Sequence, residues 1–158
     1  MSNFAKRRIA TYLASLAFVA LLGASDPHAD AQYFSGTWIC GGSTQWTFAP
    51  LAGGWTEITY GPSAKPYGTA IMGYVDALGR WIYRDFHADG SYADLTAEPP
   101  HDGRWVWSGP YYPGGADHTL NGRVTYLEVD PKRYDRTFES LESGAYVKKG
   151  GDSCVKSP

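Results

Sequence analysis

Basic clusters, helical periodicity and catalytic signatures are all missing from this sequence, and each absence excludes a class of function. The formal net charge is −2, and beyond Lys6-Arg7-Arg8 a run such as Lys148-Lys149 is a pair, not a patch. Nucleic acid and anionic membrane surfaces demand clustered positive charge to displace counterions, so neither is expected as a partner. No Gly-x-Ser-x-Gly, His-Glu-x-x-His or Gly-x-x-x-x-Gly-Lys occurs, which removes the usual arrangements of serine hydrolases, zinc proteases and P-loop enzymes. Beyond the leader, His87, His101 and His118 are spaced too widely to signal a metal site. No motif names a cofactor. The carboxylates Asp85, Asp89, Asp94, Glu98 and Asp102 fit turns and solubility as well as they fit acid–base chemistry.

The longest apolar run, Ile9 to Leu22, is about 14 residues, short of the roughly 20 that span a bilayer as a helix. No stable membrane insertion is therefore expected. With Lys6-Arg7-Arg8 before it and small residues after it, the run has the order of an export signal. Ala29-Asp30-Ala31 fits cleavage before Gln32, and Gly23-Ala24-Ser25 offers an earlier site, so residues 1–31 read as signal peptide and 32–158 as one domain. The expected location is periplasmic or extracellular. Losing three basic and two acidic residues leaves the remainder slightly more acidic than the whole chain. Only two cysteines occur, Cys40 and Cys154, near opposite ends of that remainder. An oxidising compartment would tie them into a disulfide.

Beyond the leader, glycine and proline interrupt every window long enough for a multi-turn helix, and 15% of the residues are aromatic. The pattern predicts an all-β chain of eight to ten strands: 36–40, 45–48, 55–60, 69–76, 80–86, 92–96, 104–109, 123–129, 134–141 and 145–149. Glycine-bearing turns at Ala52-Gly53-Gly54, Ala77-Leu78-Gly79, Ala88-Asp89-Gly90 and Asp102-Gly103 make consecutive strands antiparallel neighbours. An up-and-down meander of this kind loses its edges by closing into a barrel, with a sandwich as the alternative. Two longer segments, 61–68 and 111–121, read as loops over one end or as slack, and Asn121-Gly122 reads equally as a tight turn.

Phe34-Ser35-Gly36-Thr37-Trp38 resembles the Gly-x-Trp opening of lipocalins and related calycins. Gly73 to Trp81, Asp89-Gly90 and the stretch from Gly103 to Gly109 resemble exported bacterial calycin-like domains of unknown function. The resemblance implies a barrel with a cavity that binds a small hydrophobic or amphipathic molecule, and it implies no reaction. It also admits haem on a single imidazole, although no attachment motif marks one.

Side chains alternate along a strand, so Trp81, Tyr83, Asp85 and His87 share one face, a mostly apolar wall with two orienting groups. Trp105 and Trp107 share a face, as do Tyr134, Arg136 and Phe138. The candidate ligand-binding set is therefore Trp81, Tyr83, Asp85, His87, Trp105, Trp107 and Arg136. A rival assignment turns Arg84 inward instead, and Arg136 also suits a structural role stacked on Trp38 at a closed end. Two further readings stand beside ligand binding: a barrel enzyme using His87 and Asp85 as an acid–base pair, and an envelope interaction module with a packed core. A cavity of about 300 Å³ or more separates the first two from the third.

Overall fold

The computed structural model describes residues 30–62 and 65–158. The expected export segment, apart from its last two residues, lies outside them. Ten strands follow in order: β1 (Gly36–Cys40), β2 (Thr44–Pro50), β3 (Thr56–Tyr60), β4 (Gly68–Val75), β5 (Arg80–His87), β6 (Tyr92–Ala97), β7 (Arg104–Tyr112), β8 (Leu120–Asp130), β9 (Arg133–Glu142) and β10 (Ala145–Lys156). Each pairs antiparallel with its neighbours in sequence, and β1 pairs with β10, so the sheet is a closed barrel and not a sandwich.

The tight connections form where glycine was expected to allow them. The turn before β5, for example, ends on Gly79 at φ 62°, a left-handed conformation that side chains resist. Most boundaries fall within two residues of the sequence reading, and the larger differences lie in two places. Asn121-Gly122 is strand, paired with Pro110 and Gly109, so β7 and β8 are longer and their loop is shorter than expected. The final strand does not stop before Gly150-Gly151 but runs to Lys156, because a bulge between Lys148 and Gly150 absorbs the break in register. Gly151 is needed there: a Cβ would fall 2.5 Å from the Arg136 carbonyl oxygen on β9.

The barrel is filled unevenly. At the end where β1 begins, a 3-10 turn (Ala31–Phe34) folds across the opening and buries Phe34 completely. The Phe34 ring meets Phe48, Trp105, Tyr126 and Tyr134 at centroid distances of 5.2–5.8 Å. Trp38 Nε1 donates to the Phe34 carbonyl at 2.6 Å, locking the plug to β1. Inward positions at this end carry Trp38, Phe48, Met72, Trp81, Trp105 and Tyr134, all fully buried. At the other end the inward positions shrink to Gly68, Ala70, Ala93 and Gly122, so there the same barrel has room to spare.

Cys40 and Cys154 face each other directly across the β1–β10 seam, with Cα atoms 4.0 Å apart, and are joined by a disulfide. They are 114 residues apart in sequence. A loop that long restricts the unfolded chain by about 4–5 kcal/mol in the loop-entropy treatment, a large share of a small domain's net stability. Replacing both cysteines by serine should therefore lower the denaturant midpoint by an amount equivalent to about 4 kcal/mol, with a transition that no longer responds to reductant. An unchanged midpoint would mean that strand pairing alone sets the closure.

Candidate functional site

A cavity of about 420 Å³ occupies the roomy end of the barrel. Its aromatic wall comes from Trp46, Tyr60, Tyr83, Trp107, Tyr111, Tyr126 and Phe138, with Leu95, Leu120 and Val124 adding aliphatic surface. Asp85 and His87 supply the polar side. The described ends of the connection after β3, residues 61–62 and 65–67, and the connection 113–119 after β7 adjoin this end, next to the lining residues Tyr60, Tyr111 and Leu120.

Of the residues singled out from sequence, Tyr83, Asp85, His87 and Trp107 line the cavity. Trp81 and Trp105 do not: they are fully buried nearer the plug, their rings 5.0 Å apart, and Trp105 Nε1 donates to Glu128 at 2.9 Å. Two residues further along each strand, past one full alternation, the taper turns core into wall. Arg84 faces out and pairs with Asp94 on the neighbouring strand, so the rival assignment of the lumen fails.

Arg136 faces in, yet it lies beneath the wall. Its Nε and Nη2 donate to both oxygens of Asp152 at 2.7 and 2.6 Å, and its guanidinium carbon sits 4.3 Å from the centroid of the Trp46 ring. The cation over Trp38 is Lys156, at 5.2 Å, not Arg136. A buried arginine held by a bidentate carboxylate and an aromatic face is a structural strut. It orients Trp46, whose ring stacks on Tyr60 at 4.4 Å and 14°.

That stack leads to the polar centre of the site, which sequence reasoning only half found. Tyr60 Oη donates to Asp85 Oδ1 at 2.6 Å, and His87 Nε2 lies 3.1 Å from Asp85 Oδ2. Both ring nitrogens of the same imidazole also lie near Tyr60 Oη, Nδ1 at 3.1 Å and Nε2 at 3.2 Å. The three residues come from β3 and β5, which are separated by β4. They meet because β4 contributes Gly68 opposite His87, where a Cβ would lie 2.2 Å from the Tyr60 hydroxyl. Tyr60 was not singled out from sequence, since nothing local marks one inward tyrosine among 12 as the partner of a residue 25 positions away.

The hydrogen bonding favours a charged imidazole. When His87 is protonated, Nε2–H donates to Asp85 and Nδ1–H donates to the Tyr60 oxygen, whose own proton is committed to Asp85. The neutral tautomer with its proton on Nε2 turns a lone pair on Nδ1 toward that same oxygen. Accordingly the hydrogen bond to Asp85 holds the His87 pKa above its ordinary 6.5, against an opposing desolvation. Tyr60 is pushed far above its usual 10 by burial and then by Asp85, so it stays a neutral donor. Among the described residues no group of three His, Cys, Asp or Glu side chains gathers to hold a metal, and His101 and His118 are exposed, each beside a neighbouring aspartate.

Because its folded pKa is raised, His87 contributes stability in its protonated form. That contribution is full below about pH 6.5 and fades as pH rises through the folded value. In a ring-proton NMR titration His87 should titrate above the ordinary 6.5, and Asp85→Asn should bring it down. Thermal melts of His87→Gln should show the deficit against the parent largest below about pH 6.5 and smaller above it. A His87 that titrates at or below about 6.5 would mean that the cluster does not form in solution.

No family model matches the chain, and no curated protein matches it either.

Proposed function

We propose that this is an exported barrel of calycin type that binds one small, largely apolar molecule inside its open end. The observation that carries the reading is the cavity itself: about 420 Å³, walled by aromatic rings and touched by one polar cluster. Ligand sites are concave, mostly apolar and supplied with a few converging polar groups, at volumes from about 300 Å³ upward. A packed interaction module has no reason to leave such space, because an unfilled apolar void forfeits dispersion contacts and costs stability.

Further features support the calycin and export parts. Trp38 of the Gly36-Thr37-Trp38 opening sits at the plugged end, bonded to the segment that closes it. The Cys40–Cys154 disulfide suits an oxidising compartment outside the cytoplasm.

N-phenyl-1-naphthylamine, a neutral apolar fluorophore, should bind saturably at one molecule per chain, quenching Trp46 and Trp107. Val124→Trp, which adds a large ring to the cavity wall, should abolish that binding while leaving the melting temperature within a few degrees. Failure of the parent protein to bind the probe, or binding unaffected by the added ring, would overturn the reading.

A further inference from the structure

The polar centre of the cavity specifies the charge of its ligand as well as its polarity, an inference that rests on the ligand-binding reading above. Around the cavity the charged side chains on inward positions are Asp85, His87, Arg136 and Asp152, among the described residues. Arg136 and Asp152 neutralise each other through two short hydrogen bonds. Arg123 and Glu139, at the rim, occupy outward positions on β8 and β9 and are likewise paired bidentately, at 2.7 and 2.8 Å. What remains is Asp85, whose only counter-charge is the titratable imidazole of His87.

Asp85 accepts from Tyr60 and His87, one bond on each oxygen, while a carboxylate offers about four acceptor sites. It therefore has capacity left for a ligand. An anionic ligand finds no equivalent: Arg123 is held by Glu139 and Arg136 by Asp152, and the donors left without a partner, Arg136 Nη1 and the indole N–H groups of Trp46 and Trp107, are buried with no accessible surface to offer a ligand. A positively charged ligand meets the opposite conditions: a partly open carboxylate, and the rings of Tyr83, Trp107 and Tyr126 for cation–π contact.

We propose that the cavity selects an apolar organic cation, an alkyl- or arylammonium, with its charge against Asp85 and its hydrocarbon among the aromatic rings. The ligand cation and the proton of His87 then compete for one carboxylate. The groups facing His87 are Asp85 on its own strand, Asp89 in the turn that follows, Tyr60 on β3 and Tyr111 on β7, while β4 presents only Gly68. None of the three beyond Asp85 is a cation, so nothing else supplies the charge that the proton or the ligand brings. Cation affinity accordingly rises with pH through the titration of His87, whereas a neutral ligand shows no such trend.

The test compares hexyltrimethylammonium, hexanol and hexanoate by calorimetry and tryptophan fluorescence on the disulfide-intact protein, at about pH 6 and about pH 8.5, on either side of the ordinary histidine range. At the higher pH the cation should bind about tenfold or more tightly than the alcohol, and hexanoate no more tightly than the alcohol. The cation's advantage over the alcohol should shrink at the lower pH. On Asp85→Asn the cation should fall to the affinity that the alcohol shows on the same variant. The wild-type comparison needs no variant, so it decides the matter even if Asp85→Asn does not fold. Equal or tighter binding of hexanol or hexanoate would overturn the charge assignment and leave the cavity reading intact. If none of the three binds and N-phenyl-1-naphthylamine also fails, the cavity reading falls with it.

Discussion

Closure of the sheet on itself is the constraint from which everything else in this structure follows. β1 is five residues long and β10 twelve, and the pairing of Trp38 with Lys156, Ile39 with Val155 and Cys40 with Cys154 removes the two edges that a ten-strand meander would otherwise expose. A slip of one residue would turn every side chain on β10 to the opposite face. Asp152 would then leave Arg136, and a bare guanidinium would remain inside the barrel. The disulfide covalently fixes the β1–β10 register and so holds the face of β10 that turns Asp152 inward.

Within the closed barrel, side-chain size decides where matter ends and space begins. Tryptophans and tyrosines crowd the inward positions nearest the plug, and glycines and alanines occupy those at the far end. The plug is part of the same division, since burial of Phe34 among four rings contributes about 2–3 kcal/mol and closes one mouth while the other stays lined but unfilled. Arg136 belongs to this scheme as a strut. By stacking on Trp46 it passes order from β9 and β10 to Tyr60 on β3, and so to the carboxylate that Tyr60 holds.

The chemistry of the site follows from placing one carboxylate in apolar surroundings. Asp85 is nearly buried, and a buried charge is tolerated when its hydrogen-bonding capacity is engaged and an opposite charge is near. Tyr60 supplies a permanent neutral donor, and His87 supplies a donor whose charge depends on pH. The site therefore has two electrostatic states that differ by one proton, and the aromatic wall amplifies the difference by lowering the local dielectric.

Much of this architecture was readable from the chain alone. Turn glycines and period-2 alternation located all ten strands, because both signals are local: a φ above zero and a side chain's direction depend on a few adjacent residues. The same alternation placed Tyr83, Asp85 and His87 on one face of β5, and Trp107 with Trp105 on one face of β7. It failed at Gly150-Gly151, where glycines serve a bulge and close strand approach instead of a stop, a choice made by the partner strand. It could not separate Trp81 and Trp105 from Trp107, because wall and core differ only in height along the barrel axis, and that height acquires meaning once ten strands are aligned. Nor could it find Tyr60. The sequence by itself determined the all-β class, the alternation and the availability of a disulfide, since these arise from local backbone preference and composition. The cavity, the Tyr60–Asp85–His87 cluster and the structural role of Arg136 were decided only by tertiary structure, because each depends on how side chains from non-adjacent strands share one enclosed volume.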